Sequence, residues 1–260
     1  MEKRRVIYYT DELNDEFSTA VIEPRAIDES YKYIHTSIWK RFTHFFWYRI
    51  VATPIAYLYT KIAHRHKTVG REKLKLHKKV GYFMYGNHTH HICDAVLPSL
   101  ISMPKEVYVI VHPNNVSMPY LGRVTPSMGA LPLPDGLRAY KNFLHAIEYR
   151  IREGAAVTIY PEAHIWPYYT GIRPFTDKSF VYPVKLGTPV YAFTNTYQRQ
   201  GKRKTPRIVT YIDGPFYPDA ALPAREAQRK LRDEVYEAMA ERSRLSDFEL
   251  VKYVKKDKEQ

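Results

Sequence analysis

The sequence lacks several features that mark large classes of protein. Its 260 residues include a single cysteine, Cys93, which excludes an internal disulfide and a thiolate zinc cluster and is typical of a reducing compartment. No Gly/Ser-rich linker divides the chain, so we expect one large domain with an appended N-terminal segment. Residues Met1 to Thr10 lack the apolar core of a signal peptide, so we expect the protein to stay on the cytoplasmic side of the membrane.

Acidic residues are scarce relative to basic ones. The chain has 27 Asp and Glu residues and 40 Lys and Arg residues, which gives a formal net charge of +13. Such a surface attracts polyanions, and nucleic acid and anionic lipid headgroups are the two obvious candidates. No DNA-binding or RNA-binding signature accompanies the basic runs at residues 61–79 and 199–207, so we expect no nucleic-acid partner. We interpret the second run as a solvated face.

No apolar run is long enough to cross a bilayer cleanly. Residues 37–63 come closest, but Arg49 would lie near the middle at a cost of about 3 kcal/mol. The helical spacing of its apolar residues predicts two amphipathic helices that meet near Pro54 and lie in the membrane interface. The first basic run follows at once, and each Lys or Arg would contribute roughly 1 kcal/mol against anionic lipid. An ordinary helix packed on the core is the alternative.

From Gly81 onward the chain alternates between short strand patterns and helical patterns. The predicted strands are Tyr82 to Tyr85, Val107 to Val111, Ala156 to Tyr160, Val190 to Thr194 and Ile208 to Ile212. We therefore predict an α/β fold with a mixed, mostly parallel sheet flanked by helices, preceded by an N-terminal amphipathic two-helix membrane element. The predicted boundaries are residues 1–68 for the N-terminal segment and 69–260 for the α/β domain.

The two ends of the chain give weaker signals. Residues Val6 to Tyr9 are compatible with a short strand. Leu231, Val235, Ala238 and Met239 form one stripe of an amphipathic helix, which predicts that a C-terminal helix docks on the core. The last residues, Lys252 to Gln260, are highly charged, and we expect them to be frayed.

The residues that are able to carry chemistry cluster after the first predicted strand. Within residues 85–94 lie three imidazoles, those of His88, His90 and His91, and the carboxylate of Asp94. An Asn-His pair at a strand end with an Asp shortly afterwards is typical of a general base and the carboxylate that orients it. We therefore predict that His88 is the base, with His90 or His91 as alternatives.

Two later loops add polar groups at strand and helix ends. Glu162 follows another apolar strand and places a carboxylate at the edge of the sheet. Arg138 lies in the first turn of a predicted helix, where free backbone N–H groups and a guanidinium together suit a phosphate. A solvent-exposed position for Arg138 fits this signal equally well.

The order of these motifs resembles the glycerolipid acyltransferase family, to which bacterial 1-acylglycerol-3-phosphate acyltransferases belong. The resemblance covers residues 69–194: a Val-Gly-Arg-Glu lead-in at residues 69–72, Asn87-His88 with a following Asp94, a Gly-rich loop, Pro161-Glu162 and a Thr-Pro-Val at 188–190. Three departures stand out. Five residues separate His88 from Asp94, where the family has four. The family's second-block arginine falls near Pro134 or Asp135, and Ala163-His164 replaces the Gly-Thr after Pro-Glu.

This resemblance implies direct acyl transfer from acyl-CoA or an acyl-carrier protein to a hydroxyl of a lysophospholipid, without a metal or another cofactor. His88 would take the proton of the acceptor hydroxyl, and Asp94 would orient the imidazole. Anionic membrane lipids are the expected surface partner. The residues that would order the loops or bind substrate are Asn87, Arg123, Arg138, Glu162, Arg173 and Lys178.

Two other functions remain open at this point. A metal-dependent hydrolase would use His88, His90, His91 and Asp94 as ligands, although their spacing does not match the metal box of the metallo-β-lactamase fold. A non-enzymatic membrane-surface binding protein would use the His/Asp pair only for structure.

Overall fold

The computed structural model describes residues 5–17 and 23–256. The strands within these ranges are β1 Arg5–Tyr9, β2 Lys67–Val69, β3 Tyr82–Gly86, β4 Val107–Val111, β5 Ala130–Pro132, β6 Ala156–Ile159, β7 Val190–Gln198, β8 Arg207–Phe216 and β9 Val251–Lys255. The α-helices are α1 Ile38–Phe45, α2 Thr53–His64, α3 Cys93–Ser102, α4 Leu121–Val124, α5 Leu137–Arg152, α6 Val181–Leu186 and α7 Ala224–Ser243. A π-helix spans Phe46–Ala52, and short 3-10 helices span Arg71–His77, Pro113–Val116, Thr125–Met128 and Lys178–Phe180.

The main sheet has seven strands in the order β2-β8-β7-β3-β6-β4-β5. Strands β7 and β8 pair antiparallel, and the other neighbours in this sheet pair parallel. The predicted α/β class with a mixed, mostly parallel sheet is confirmed. In parallel sheets the loops at the carboxyl ends of the strands carry the reactive groups. Here β3 lies between β6 and β7, so the loops that follow β3 and β6 begin side by side.

Strand β3 is buried on both faces, which explains its uninterrupted apolar sequence. Phe83 and Tyr85 point into a core cluster built with α5, α6 and α7, whereas Tyr82 and Met84 point to the opposite side of the sheet. Helix α3 covers that second side near the carboxyl end, where Leu97 joins a smaller cluster with α2. Helices on both faces therefore hold the centre of the sheet away from water.

The N-terminal segment has two α-helices, α1 and α2, as expected, and a π-helix joins them into one helical run just before Pro54. Helix α2 begins at Thr53, and Pro54 is in its first turn, where a missing N–H costs no helical hydrogen bond. The intervening π-helix is closed by the Thr53 backbone N–H, which bonds to the Tyr48 carbonyl five residues back. One side of the run packs on the core through Tyr48. Its hydroxyl donates a hydrogen bond to the Ser99 hydroxyl and accepts one from the Val107 N–H.

The other side of this helical run is apolar and exposed. Its large exposed apolar side chains are Ile38, Trp39, Phe42, Phe45, Phe46, Ile50, Ile55, Tyr57, Leu58 and Ile62. No helix in the described ranges has both the length and the apolar character needed to cross a bilayer.

The C-terminal expectations have different outcomes. Helix α7 docks on the core, and Leu231, Val235 and Met239 are fully buried there. The expectation of a frayed end is wrong for residues 252–255, because β9 pairs parallel with β1, the strand expected at Val6 to Tyr9. Residues 257–260 lie outside the described part of the chain.

Candidate active site

The site begins where β3 ends, at Gly86 and Asn87. A side chain at Gly86 would collide with the ring of Phe193 on β7, so only glycine allows this close approach. The approach brings the Asn87 amide to the backbone of Asn195: Oδ1 accepts from the Asn195 N–H at 2.8 Å, and Nδ2 donates to its carbonyl at 3.0 Å. The Asn87 side chain therefore fixes the end of β3. This restrains the backbone where His88 follows the strand.

His88 and Asp94 meet across the turn that follows β3. Nδ1 of His88 lies 2.9 Å from Oδ2 of Asp94. The same carboxylate oxygen accepts from the backbone N–H groups of Thr89, at 2.7 Å, and His90, at 2.8 Å. The extra residue between His88 and Asp94 is therefore absorbed by a turn that wraps around the carboxylate. Asp94 is 1% exposed and lies in the first turn of α3, where the helix dipole favours a negative charge.

This contact sets the tautomer of His88. A carboxylate accepts hydrogen bonds, so Nδ1 carries a proton, and in the uncharged ring the lone pair is then on Nε2. The His88 side chain is 26% exposed, so Nε2 is accessible to a substrate, while Asp94 behind it is not. Tyr160 supports the imidazole from one side: its ring stacks on His88 at 4.7 Å, and its hydroxyl donates to the Asp94 carbonyl. A neutral, oriented imidazole with one free nitrogen is suited to act as a general base.

Glu162 joins the loop after β6 to the loop after β3. One carboxylate oxygen accepts from the His88 backbone N–H at 3.0 Å, and the other accepts from the Arg173 N–H at 3.0 Å. The Arg173 guanidinium also lies 3.6 Å from the Glu162 carboxylate, and both side chains are fully buried. Burial raises the pKa of Glu162, and the charge of Arg173 opposes that shift.

The structure places Arg173 behind Glu162 rather than at a surface. Its guanidinium donates to the carbonyls of Glu12, Glu162 and His164 and lies over the Trp166 ring at 4.8 Å. Only 1% of the residue is exposed. These partners hold the guanidinium in place as support for the Glu162 loop.

The other basic residues predicted to bind substrate lie at the surface. Arg123 lines an open cleft of about 700 Å³ together with Arg25 and Tyr120. Arg138 is highly exposed, and its guanidinium lies 3.5 Å from Glu29. Lys178 is exposed at the start of a 3-10 helix. Among the described contacts, none of these three basic side chains forms a hydrogen bond or ion pair with His88 or Asp94.

The two alternative bases point elsewhere. The ring of His90 is buried and lies 4.8 Å from the ring of His64, and burial lowers the pKa of His90 to about 4. Nδ1 of His90 accepts from the Cys93 N–H at 3.2 Å and so helps to start α3. His91 is exposed. The four residues of the proposed hydrolase site therefore do not converge on one point.

Within the described ranges, one group of side chains is compact enough to be considered as a metal site: His64, His90 and Cys93, whose ligand atoms lie within 4.8 Å of one another. Their hydrogen bonds argue against a metal. Since Nδ1 of His90 accepts a backbone N–H, its proton is on Nε2, and the Tyr168 hydroxyl is 3.4 Å from that atom. Burial raises the pKa of the Cys93 thiol, which disfavours the thiolate that a metal requires.

Sequence reasoning did not identify Asn195, Thr210 or His66, which lie behind Asp94. The amide Nδ2 of Asn195 is 3.4 Å from Oδ1 of Asp94, and its Oδ1 accepts from the Thr210 hydroxyl at 2.7 Å. Nε2 of His66 lies 2.9 Å from the Thr210 oxygen. The available signal was weak: Asn195 follows directly on the predicted strand Val190 to Thr194 and is the one amide in an otherwise apolar and threonine-rich stretch.

Comparisons with known proteins show the family and the fold of the chain. The family model described as Acyltransferase matches residues 66–195, half of the chain. Among solved structures, the chain is similar to the 1-acyl-sn-glycerophosphate (LPA) acyltransferase PlsC from Thermotoga maritima, with a TM-score of 0.55, 15% sequence identity, and coverage of 78% of this chain and 86% of that chain. At this identity the likeness concerns the fold alone. Among curated protein sequences, none matches the chain significantly.

Proposed function

Because the chain belongs to the acyltransferase family, we propose that it transfers a fatty acyl group from an acyl thioester to a hydroxyl of a lysophospholipid such as 1-acylglycerol 3-phosphate. The donor in this proposal is acyl-CoA or an acyl-carrier protein, and no further cofactor is used. The observation that carries the proposal is the 2.9 Å contact between Nδ1 of His88 and Oδ2 of Asp94. It leaves the other imidazole nitrogen free to accept the acceptor's proton.

The proposed reaction proceeds without an acyl-enzyme. Nε2 of His88 takes the proton of the acceptor hydroxyl while the hydroxyl oxygen attacks the thioester carbonyl. The carbon–sulfur bond then breaks, and the imidazolium returns the proton to the leaving thiolate. Asp94 stabilises the imidazolium between these steps. Base catalysis of this type contributes about 10²- to 10⁴-fold, so substrate positioning and stabilisation of the oxyanion supply the rest of the rate.

The exposed helical run supports a position at the surface of a membrane. Lipid substrates are reached most directly by an enzyme that rests on the bilayer, and the apolar side of residues 38–62 gives it a surface to insert. Exposed basic residues at Arg65, Lys67, Arg71 and Lys75 follow this run and suit anionic headgroups. We place the enzyme at the cytoplasmic face as a peripheral protein. Arg123, Arg138 and Lys178 are the candidates for the anionic groups of the two substrates.

The experiment that tests this function is an acyl-transfer assay on a panel of lysolipids, with and without a phosphate group, and with acyl-CoA or acyl-carrier protein as donor. We expect His88→Ala and Asp94→Asn to lower kcat at least about 100-fold while the circular dichroism spectrum stays unchanged. His91→Ala is the matched control, because it makes the same substitution at an exposed histidine. We expect it to keep wild-type activity.

Two results would overturn the proposal. Full activity in His88→Ala would remove the base on which the mechanism depends. Stoichiometric zinc or manganese in the purified protein, together with loss of activity on chelation, would instead favour the metal-dependent hydrolase.

A further inference from the structure

A buried line of hydrogen bonds continues from the catalytic carboxylate to the far side of strand β8. It runs from Asp94 to Asn195, from Asn195 to Thr210, and from Thr210 to His66. Asn195 and Thr210 face each other directly across the antiparallel pair of β7 and β8. All four residues are at least nine-tenths buried, so water cannot replace a partner that is lost.

The donors in this line all point toward Asp94. The carboxylate only accepts, so Asn195 must present its Nδ2 to it and turn its Oδ1 toward Thr210. That oxygen needs a donor, which fixes the Thr210 hydroxyl proton. The Thr210 oxygen in turn accepts from Nε2 of His66, which fixes the tautomer of His66. Burial lowers the pKa of His66 to about 4, in agreement with a neutral ring that carries one proton.

The opposite orientation of the Asn195 amide would place its Oδ1 next to the Asp94 carboxylate. If the Thr210 hydroxyl donated to His66, Asn195 would have to give its amide protons to Thr210 and present Oδ1 to the Asp94 carboxylate. Two acceptors at that separation repel each other. The orientation of the Asn195 amide, the direction of the Thr210 hydroxyl and the tautomer of His66 are therefore coupled, and His66 lies two residues beyond the end of α2.

We propose that Asn195, Thr210 and His66 are positioning residues that hold the Asp94 carboxylate, and through it the His88 imidazole, in the orientation required for catalysis. The proposal rests on the function proposed above, because it assigns these residues to the acyl-transfer site. None of the three touches the reacting atoms. Their removal should lower kcat and leave KM nearly unchanged.

Thr210→Val is the sharpest test, since it removes the hydroxyl and keeps the branched shape. We expect kcat in the acyl-transfer assay to fall about tenfold or more and KM to stay within about twofold, because a buried amide loses its partner. Thr210→Ser restores a hydroxyl and should return kcat to within about threefold of the wild type. If Thr210→Val does not fold, Asn195→Ala removes the amide that donates to Asp94, and the same loss of kcat is expected.

Thr196→Val is the matched control. Thr196 is a buried threonine on β7 whose hydroxyl donates to the Val209 carbonyl at 3.0 Å. Because side chains alternate along a strand, it lies on the opposite face of the sheet from Asn195. Loss of the Thr196 hydroxyl should lower the free energy of unfolding by about 1 kcal/mol, the usual contribution of one hydrogen bond, without a fall in kcat.

A readout that needs no substrate separates this inference from the proposed function. The proton on Nδ1 of His88 is shared with Asp94 and should give a downfield proton NMR resonance that is absent in His88→Ala. We expect this resonance to shift or vanish in Thr210→Val and to persist in Thr210→Ser and Thr196→Val. An unchanged resonance in Thr210→Val, or an unchanged kcat in an active enzyme, overturns the proposal that these residues position Asp94 and His88. If the resonance shifts but the protein acylates none of the acceptors, the positioning role is supported and the proposed acyl-transfer function is wrong.

Discussion

Ala163 occupies a backbone conformation that suits glycine better than alanine. Its φ is +61°, and it directly follows Glu162, whose carbonyl accepts from the His164 N–H at 2.7 Å in a tight turn. A left-handed conformation costs a residue with a Cβ about 1–2 kcal/mol. The related acyltransferase motif has glycine at this point, after Pro-Glu. The sequence therefore carries a strained residue beside the carboxylate that holds His88.

We predict that Ala163→Gly raises the free energy of unfolding by about 0.5–1 kcal/mol. The relief of backbone strain exceeds the cost of about 0.4–1 kcal/mol that glycine adds through the more flexible unfolded chain. Urea denaturation measures the difference. Ala221→Gly is the control: Ala221 is exposed in a turn and is not among the described residues with positive φ, so the same change should only destabilise. Equal destabilisation by both substitutions would show that Ala163 is not strained.

The contact between His88 and Asp94 was predictable at the residue scale, whereas the residues that support it were not. His88 and Asp94 lie six residues apart, so a single turn joins them and a local pattern is enough to find them. Asn195 and Thr210 reach Asp94 only because β7 and β8 are paired in one register. Arg173 illustrates the converse. A charged side chain is usually exposed, and only the fold shows that the Glu162 carboxylate and three carbonyls enclose this one.

At the scale of the elements, the helical run from α1 to α2 has two different faces. Tyr48 and Ala56 pack on the protein, while Trp39 is 76% exposed and Phe42 is 59% exposed. Solvent-exposed aromatic side chains in a row form the kind of apolar patch that marks an interaction surface. Beside basic residues, that surface suits the interface of an anionic bilayer.

We predict that Trp39→Ser weakens binding to anionic phospholipid vesicles about tenfold, because insertion of an indole contributes roughly 1.5 kcal/mol or more. Co-sedimentation with vesicles measures the partition coefficient, and added salt should weaken wild-type binding as well. Leu245→Ser is the control, since Leu245 is 44% exposed and follows α7, which covers the other face of the sheet. If both variants bind as the wild type does, the helical run is not the docking element.

The central strands and long helices were predicted because their patterns are local, whereas the elements that were missed have other causes. Periodicity identified β3, β4, β6 and α5, which are buried or amphipathic over their whole length. The second N-terminal helix begins near Pro54 as expected, because proline suits the first turn of a helix, whereas the π-helix before it was not predicted. The charged strand β9 could not be recognised from its own sequence, because its partner β1 lies at the other end of the chain.

On the scale of the whole molecule, three buried histidines lie where α2, α3 and β8 meet. His64 donates to the Pro206 carbonyl, His66 contacts Thr210, and His90 accepts from the start of α3. Burial lowers the pKa of all three, to about 4 for His66 and His90. Neutral imidazoles therefore fill the contact between the N-terminal helices and the loop that follows β3.

This arrangement should make the protein less stable in mild acid. An unfolded histidine takes up a proton near pH 6.5, whereas folded His66 resists it until about pH 4. The unfolded state therefore binds more protons in this window, so the stability that is present above pH 6.5 is lost as the pH falls toward 4. The loss is about 1.4 kcal/mol per pH unit for each such histidine. Glu162, whose pKa burial raises, contributes with the opposite sign.

A comparison with His66→Gln isolates one of these groups, because Glu162 and the other titrating residues are common to both proteins. Between pH 7.5 and pH 5.0, we predict that the wild type loses about 2 kcal/mol of unfolding free energy relative to His66→Gln. Urea denaturation at the two pH values gives this difference. His91→Gln, a change at an exposed histidine, provides the control. If the gap between wild type and His66→Gln does not change with pH, His66 is not held neutral by burial.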